Sequence, residues 1–167
     1  PNKETKNKEE DYYLCLSRLS MFAGYITINI SSPNTEGLRD FHDQGELKKL
    51  LTGLNKIINK KKIKCPIAIK ISPDIKDDEV SKIIDLVSSH NIKGIVVSNT
   101  TDSNRNNLSD TKKNEIGGLS GQPLKDISTN LIKRFYKETK GKIKIIGVGG
   151  VDSGHSAYEK ITAGADA

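Results

Sequence analysis

Tyr25–Arg39 reads YITINISSPNTEGLR, and its character changes at Asn29. Tyr25 to Ile30 is β-branched and aromatic apart from Thr27 and Asn29, the signature of a buried strand. Asn29, Ser31, Ser32, Pro33, Asn34 and Thr35 then follow as a dense run of small hydrogen-bonding groups. Pro33 fixes its own φ and disfavours the helical region for Ser32, so the hydroxyl is held extended where the strand ends. A hydroxyl flanked by amides at the carboxyl end of a strand is how an α/β scaffold presents a small planar ligand. The same residues also make ordinary strand-to-turn junctions.

Outward from this strand the chain alternates. Tyr12, Leu16 and Leu19 recur at helical spacing over Lys8–Phe22. After a polar loop at Asp40–Gly45, Leu47, Leu50, Leu51, Leu54, Ile57 and Ile58 mark a second helix. Pro66–Ile71 is a strand closed by Ser72-Pro73-Asp74. A helix from Asp77 carries Val80, Ile83, Ile84 and Val87. Ile95–Ser98, Asp126–Thr139 and Ile143–Gly147 read as strand, helix and strand, and Ser153 caps a last helix carrying Ala157 and Ile161. Short Ile/Val-rich strands between amphipathic helices imply parallel pairing with right-handed crossovers. The pattern fits a (β/α)8 barrel or a doubly wound sheet. The long connection Asn99–Gly121 lacks periodicity; its middle, Asp102–Asn114, reads as polar and mobile.

INISSPNTEGLR resembles the active-site strand of the dihydroorotate dehydrogenases, FMN flavoenzymes of pyrimidine (UMP) synthesis. IAIKISPD (Ile67–Asp74), VVSNTT (Val96–Thr101), GGLSGQPL (Gly117–Leu124) and IIGVGGVDSG (Ile145–Gly154) follow in the family's order. Ser32 resembles the membrane-associated, quinone-reducing class, whereas the soluble class carries cysteine there. The resemblance selects the (β/α)8 TIM barrel. A full barrel needs about 250 residues, so residues 1–167 are expected to form a partial FMN-binding barrel domain. That domain would lack the N-terminal strands and the last strand.

The resemblance also implies roles. Ser32 is the expected base, and a serine in that role needs a hydroxyl or water relay. Asn29, Asn34, Asn99 and Thr100 are the expected pyrimidine ligands, because carboxamides match alternating amide donors and acceptors. Asn29, Lys70, Ser98, Gly121, Gly149 and Gly150 are the expected FMN contacts. Lys70, set among Ile67, Ala68, Ile69 and Ile71, must otherwise snorkel to the strand end. The glycines permit close backbone approach to a phosphate. Dihydroorotate, orotate and a quinone are the implied partners. A membrane surface, bacterial or mitochondrial inner, would be reached through an N-terminal segment outside this sequence.

The formal charge of +6 raises anionic partners, but the lysines are dispersed and only Lys60–Lys64 forms a run. A basic nucleic-acid module would need aromatics interleaved with a basic stripe, and none is visible. A related pyrimidine oxidoreductase, such as a dihydropyrimidine dehydrogenase domain, is disfavoured because those domains carry cysteine where Ser32 stands. Cys15 and Cys65 give no disulfide framework, and with His42, His90 and His155 they have no metal-ligand spacing. Arg39 reads equally as a substrate cation or a structural one. No stretch is long and apolar enough to span a bilayer.

Overall fold

The computed structural model describes residues 4–35, 37–103, 105–106 and 108–167. Asn104 and Asn107, two of the asparagines of the long connection, lie outside the described residues. Four parallel strands, β1 (Ile26–Asn29), β2 (Ile67–Lys70), β3 (Gly94–Val97) and β4 (Lys144–Gly147), lie side by side in chain order. Helices α1 (Lys8–Leu19), α2 (Gln44–Lys61), α3 (Asp77–Ser89), α4 (Lys125–Thr139) and α5 (Gly154–Thr162) alternate with them. Each helix touches the next, so all five form one layer. Sequential strand order beneath a single helical layer is the arc of a barrel, whereas a doubly wound sheet reverses order and carries helices on both faces. The fold is therefore an open partial barrel.

Side-chain alternation along the strands divides the sheet into two faces. Ile28, Ile69, Ile95 and Ile145 stand in register across all four strands, none more than 3 % exposed. This ladder meets the buried stripes of the helices, among them Leu47, Leu50, Leu51 and Leu54 of α2 and Ile132 and Phe135 of α4. Asn29, Lys70, Val96 and Ile146 form a second registered row on the opposite face, which no helix among the described residues covers. Asn29 is thus exposed rather than buried, because it belongs to the open face of the arc.

Local chemistry sets the boundaries. Asp43 caps α2 by accepting from the Gly45 and Glu46 N–H groups. The polar loop expected over Asp40–Gly45 instead contains a 3-10 turn, Arg39–His42, too short to show a period. Helix α1 ends at Leu19, leaving Met21 and Phe22 each 79 % exposed. Ser153 caps α5 as expected, accepting from the Ser156 N–H. The face of α5 is not the expected one: Ile161 is 48 % exposed, while Ser156 and Lys160 are buried. Along the outer edge of β4, Asp166 N–H donates to Ile145 O at 2.8 Å and Gly147 N–H to Ala167 O at 2.7 Å.

Candidate functional site

The carboxyl ends of β1, β2 and β3 bring Asn29, Lys70 and Asn99 to one mouth. Ser31 is the hub that joins them, fully buried and two residues beyond Asn29 on the same strand face. Asn99 Nδ2 donates to Ser31 Oγ at 3.0 Å, and Ser31 Oγ donates to Lys70 O at 2.8 Å. Asn29 Oδ1 accepts from Ser31 N at 3.3 Å and from Asn99 Nδ2 at 3.4 Å. Asn99 Oδ1 accepts from Thr100 N at 2.8 Å. The Asn99 carboxamide is therefore spent on both sides, locking the loop after β3 to the end of β1.

Other polar groups of these strand ends and loops remain unspent. Among the described residues, Asn29 Nδ2, the Asn34 carboxamide, the Thr100 hydroxyl and the Lys70 ammonium have no hydrogen-bond partner in the protein, and Lys70 has no carboxylate within ion-pair distance. Ser32 Oγ accepts from Asn34 N at 3.3 Å, which leaves its proton free to donate. Ser32 and Asn29 also line a cavity of about 350 Å³ between the outer edge of β1 and Tyr12, Cys15 and Leu16 of α1. Tyr12 donates its phenol proton to Asn29 O there. Burial, with the Asp11 carboxylate adding to it, pushes that phenol well above its usual range. Ser98 is 1 % exposed, and its hydroxyl donates to Asn99 O at 3.1 Å, which leaves only its oxygen lone pairs unspent.

GGLSG closes the same corner. A side chain at Gly118 would put Cβ 1.8 Å from Thr100 Oγ1 and 3.2 Å from Pro33 Cγ, so only glycine lets this segment lie against Thr100. Arg105 holds the preceding loop by donating to the carbonyls of Lys113, Glu115 and Gly117. A second cradle lies beyond β4. Gly149 and Gly150 have φ of +111° and +69°, and a Cβ on Gly150 would fall 2.6 Å from Lys125 Cα. Gln122 Nε2 donates to Asp152 Oδ2 at 2.8 Å, joining the Gly121 loop to the Gly149–Gly150 loop. Gly121, at φ +76°, has open space where a side chain would be.

Asp74 ties the loops together. It accepts from Thr101 Oγ1, from Ser103 Oγ at 2.8 Å and from Asp102 N at 3.2 Å, and pairs with Arg39 at 3.3 Å. Arg39 also pairs with Asp102 at 2.7 Å, which holds the Asp102 carboxyl below its ordinary range. Arg39 is thus a structural cation spanning three loops. His42 bonds the Arg39 carbonyl through Nδ1 at 3.1 Å and accepts from Ser72 N at Nε2, 3.2 Å away. Burial lowers its pKa, in keeping with that neutral tautomer. Sequence reading passed over Ser31, Asp74 and Gly118. Period-two alternation from Asn29 marks Ser31, but nothing local marks the other two.

The family model for dihydroorotate dehydrogenase matches residues 2–167. The chain belongs to the dihydroorotate dehydrogenase family. It is 43 % identical over 173 residues to the dihydroorotate dehydrogenase (quinone) of Citrobacter koseri, covering 98 % of this chain and 51 % of that protein. The Salmonella typhi enzyme of the same name gives the same figures. Among solved structures, the ligand-free dihydroorotate dehydrogenase of Eimeria tenella superposes with a TM-score of 0.92 at 36 % identity, covering 99 % of this chain and 51 % of that one. The same protein in complex with ferulenol gives a TM-score of 0.94 at 36 % identity, covering 99 % and 49 %. The chain spans about half the length of the curated relatives it matches. Among the described residues, no helix is long and apolar enough to cross a membrane.

Proposed function

We propose that this chain supplies the substrate mouth and one phosphate cradle of an FMN enzyme that oxidises dihydroorotate to orotate and passes the electrons to a quinone. The observation that carries this reading is the set of unspent groups at the mouth. Asn29 Nδ2, the Asn34 amide, the Thr100 hydroxyl and the Lys70 ammonium stand ready around Ser32, while the neighbouring polar groups satisfy one another. Lys70 and Thr100 are half-buried, where polar groups are ordinarily paired, and Asn29 and Asn34 are exposed, so the four together offer a polar ligand groups that the protein leaves without partners.

The residues present fit FMN. Lys70 brings an uncompensated cation to the row that Asn29 shares, Gly149 and Gly150 form a tight positive-φ turn before the α5 start, and Gly121 leaves room for close approach. Asn29, Lys70, Ser98, Gly121, Gly149 and Gly150 would hold it, Ser98 doing so through oxygen lone pairs because its proton is spent on Asn99 O. When bound, FMN supplies the two-electron acceptor for the hydride.

The chain's own groups do the rest. Dihydroorotate loses a proton from one ring carbon as the neighbouring carbon loses a hydride, leaving a carbon–carbon double bond. Ser32 Oγ takes the proton, and the Asn34 N–H already aimed at that oxygen stabilises the negative charge it develops. A hydroxyl is a weak base, so Ser32 passes the proton on through water or a neighbouring hydroxyl. Asn34, Thr100 and the free Asn29 donors orient the ring, Asn99 fixes Asn29, and Lys70 favours negative charge gathering on its side of the site. Quinone reduction rests on the names of the relatives, and attachment to a membrane surface, inner bacterial or mitochondrial, rests on the sequence's resemblance to the quinone-reducing class.

Anaerobic addition of dihydroorotate to the full-length protein tests this reading. The flavin absorbance should bleach, orotate should form in equal amount, and a ubiquinone analogue should restore the colour. A bound flavin that dihydroorotate leaves oxidised would overturn it.

A further inference from the structure

Lys160 is the residue that neither the sequence reading nor the proposed reaction uses. It is 2 % exposed, on the buried face of α5, and no carboxylate lies within 4 Å of its ammonium among the described residues. The neighbouring Glu159 is engaged by Lys125 at 2.6 Å. Instead, Lys160 Nζ donates to Ser128 Oγ at 2.5 Å and to Thr129 Oγ1 at 3.1 Å, the fourth and fifth residues of α4. A buried cation held only by hydroxyls, beside the positive end of a helix, is costly unless an anion is bound close by.

The direction of these bonds points to the anion. An ammonium has three donors and no acceptor. Each hydroxyl must therefore accept from Lys160 and send its own proton onward. Thr129 Oγ1 donates to Lys125 O at 2.8 Å, and the single Ser128 Oγ proton is shared between Lys125 O and Gly149 O, each at 3.1 Å. The Gly149 carbonyl belongs to the same peptide unit as the Gly150 N–H. A donor on that carbonyl draws electron density toward oxygen and strengthens the N–H as a donor. Gly150 N–H has no partner among the described residues.

We propose that Lys160 is a positioning residue for the flavin phosphate. Through Ser128 it fixes and polarises the Gly149–Gly150 peptide, so that the Gly150 N–H is aimed and strengthened for a dianion that Lys160 itself never touches. This rests on the FMN reading of the glycine cradle and extends it to the helix layer behind the loop.

Flavin affinity, measured by fluorescence quenching on the full-length apoprotein with FMN and with riboflavin, tests it without using turnover. Riboflavin shares the ring and side chain but lacks the phosphate. Lys160→Met should weaken FMN about tenfold or more, the scale of one charge-assisted hydrogen bond, and leave riboflavin within about twofold. Ser128→Ala keeps the cation and removes the relay hydroxyl, and it should show the same FMN-selective loss. Lys160→Arg, which keeps a donor-only cation, should recover much of the FMN affinity. Equal loss of both flavins, or no loss of either, would make Lys160 a packing residue and overturn the proposal. If Lys160→Met yields no soluble protein, Ser128→Ala decides by the same criterion. A wild-type protein that binds riboflavin as tightly as FMN would instead remove the phosphate reading of the cradle, a distinct failure visible before any variant is made.

Discussion

Replacing Gly118 by alanine puts a methyl group where no single side chain can make way for it. The new Cβ would stand 1.8 Å from Thr100 Oγ1, 2.5 Å from Thr100 Cβ and 3.2 Å from Pro33 Cγ. Rotating Thr100 moves the hydroxyl, but its Cβ is fixed to the backbone. Carbon atoms rest about 3.5–4 Å apart, so GGLSG or the segment after β3 must retreat by about 1 Å. Overpacking of this kind typically costs about 1–3 kcal/mol. A displacement of about 1 Å at a reacting centre can cost about 10²-fold in rate. Denaturant unfolding and single-turnover flavin reduction in the full-length protein should both register the change. The partner substitution makes the test specific. Thr100→Gly removes both clashing atoms and should recover stability in the double variant by about 1 kcal/mol or more beyond additivity. Thr100→Ala keeps Cβ at its original place and should recover little. Wild-type stability in Gly118→Ala, or equal rescue by both partners, would refute this close approach.

Lys70→Ala in the full-length protein should weaken FMN retention and slow flavin reduction seen by stopped flow; a merely snorkelling lysine would leave both unchanged and lose a little stability. His42 predicts a pH dependence. Burial holds its folded pKa below the ordinary 6.5, so between 6.5 and the folded value the unfolded chain binds more protons, and stability falls as pH drops through that window. Urea unfolding at pH 7.5 and 5.5 should show that fall. His42→Gln, which still accepts from Ser72 N–H without titrating, should flatten the His42 share of it, and an unchanged slope would remove His42 as the cause.

Much of the arc is legible in the sequence because its signals are local. The Ile/Val runs place all four strands to within a residue or two, the leucines of α2 mark its buried stripe, and Ser153 reads correctly as a cap. The choice between barrel and doubly wound sheet is not local, since it depends on which face each crossover returns to. The same limit governs the site. Arg39 reads ambiguously because its partners Asp74 and Asp102 lie 35 and 63 residues away. On α5, apolar periodicity selects Ile161, yet Lys160 is buried, because hydroxyls on α4 receive its ammonium from 31 and 32 residues upstream. Gly118 looks like any glycine of a turn until Thr100 is set against it. Ser31, by contrast, follows from period-two alternation after Asn29.

On the function proposed above, Ser32 takes the substrate proton at a mouth built from Asn29, Asn34 and Thr100, and single-turnover reduction of the bound flavin by dihydroorotate reports that step. Removing a positioned base costs about 10²- to 10⁴-fold, so Ser32→Ala should slow flavin bleaching by about that factor while FMN content and orotate binding persist. In Ser32→Cys the thiol, with a pKa of about 8.5, should restore part of the rate, with a pH profile following the thiol's ionisation. Near-normal bleaching in Ser32→Ala would contradict the account, leaving Ser32 only the turn hydroxyl that accepts from the Asn34 N–H.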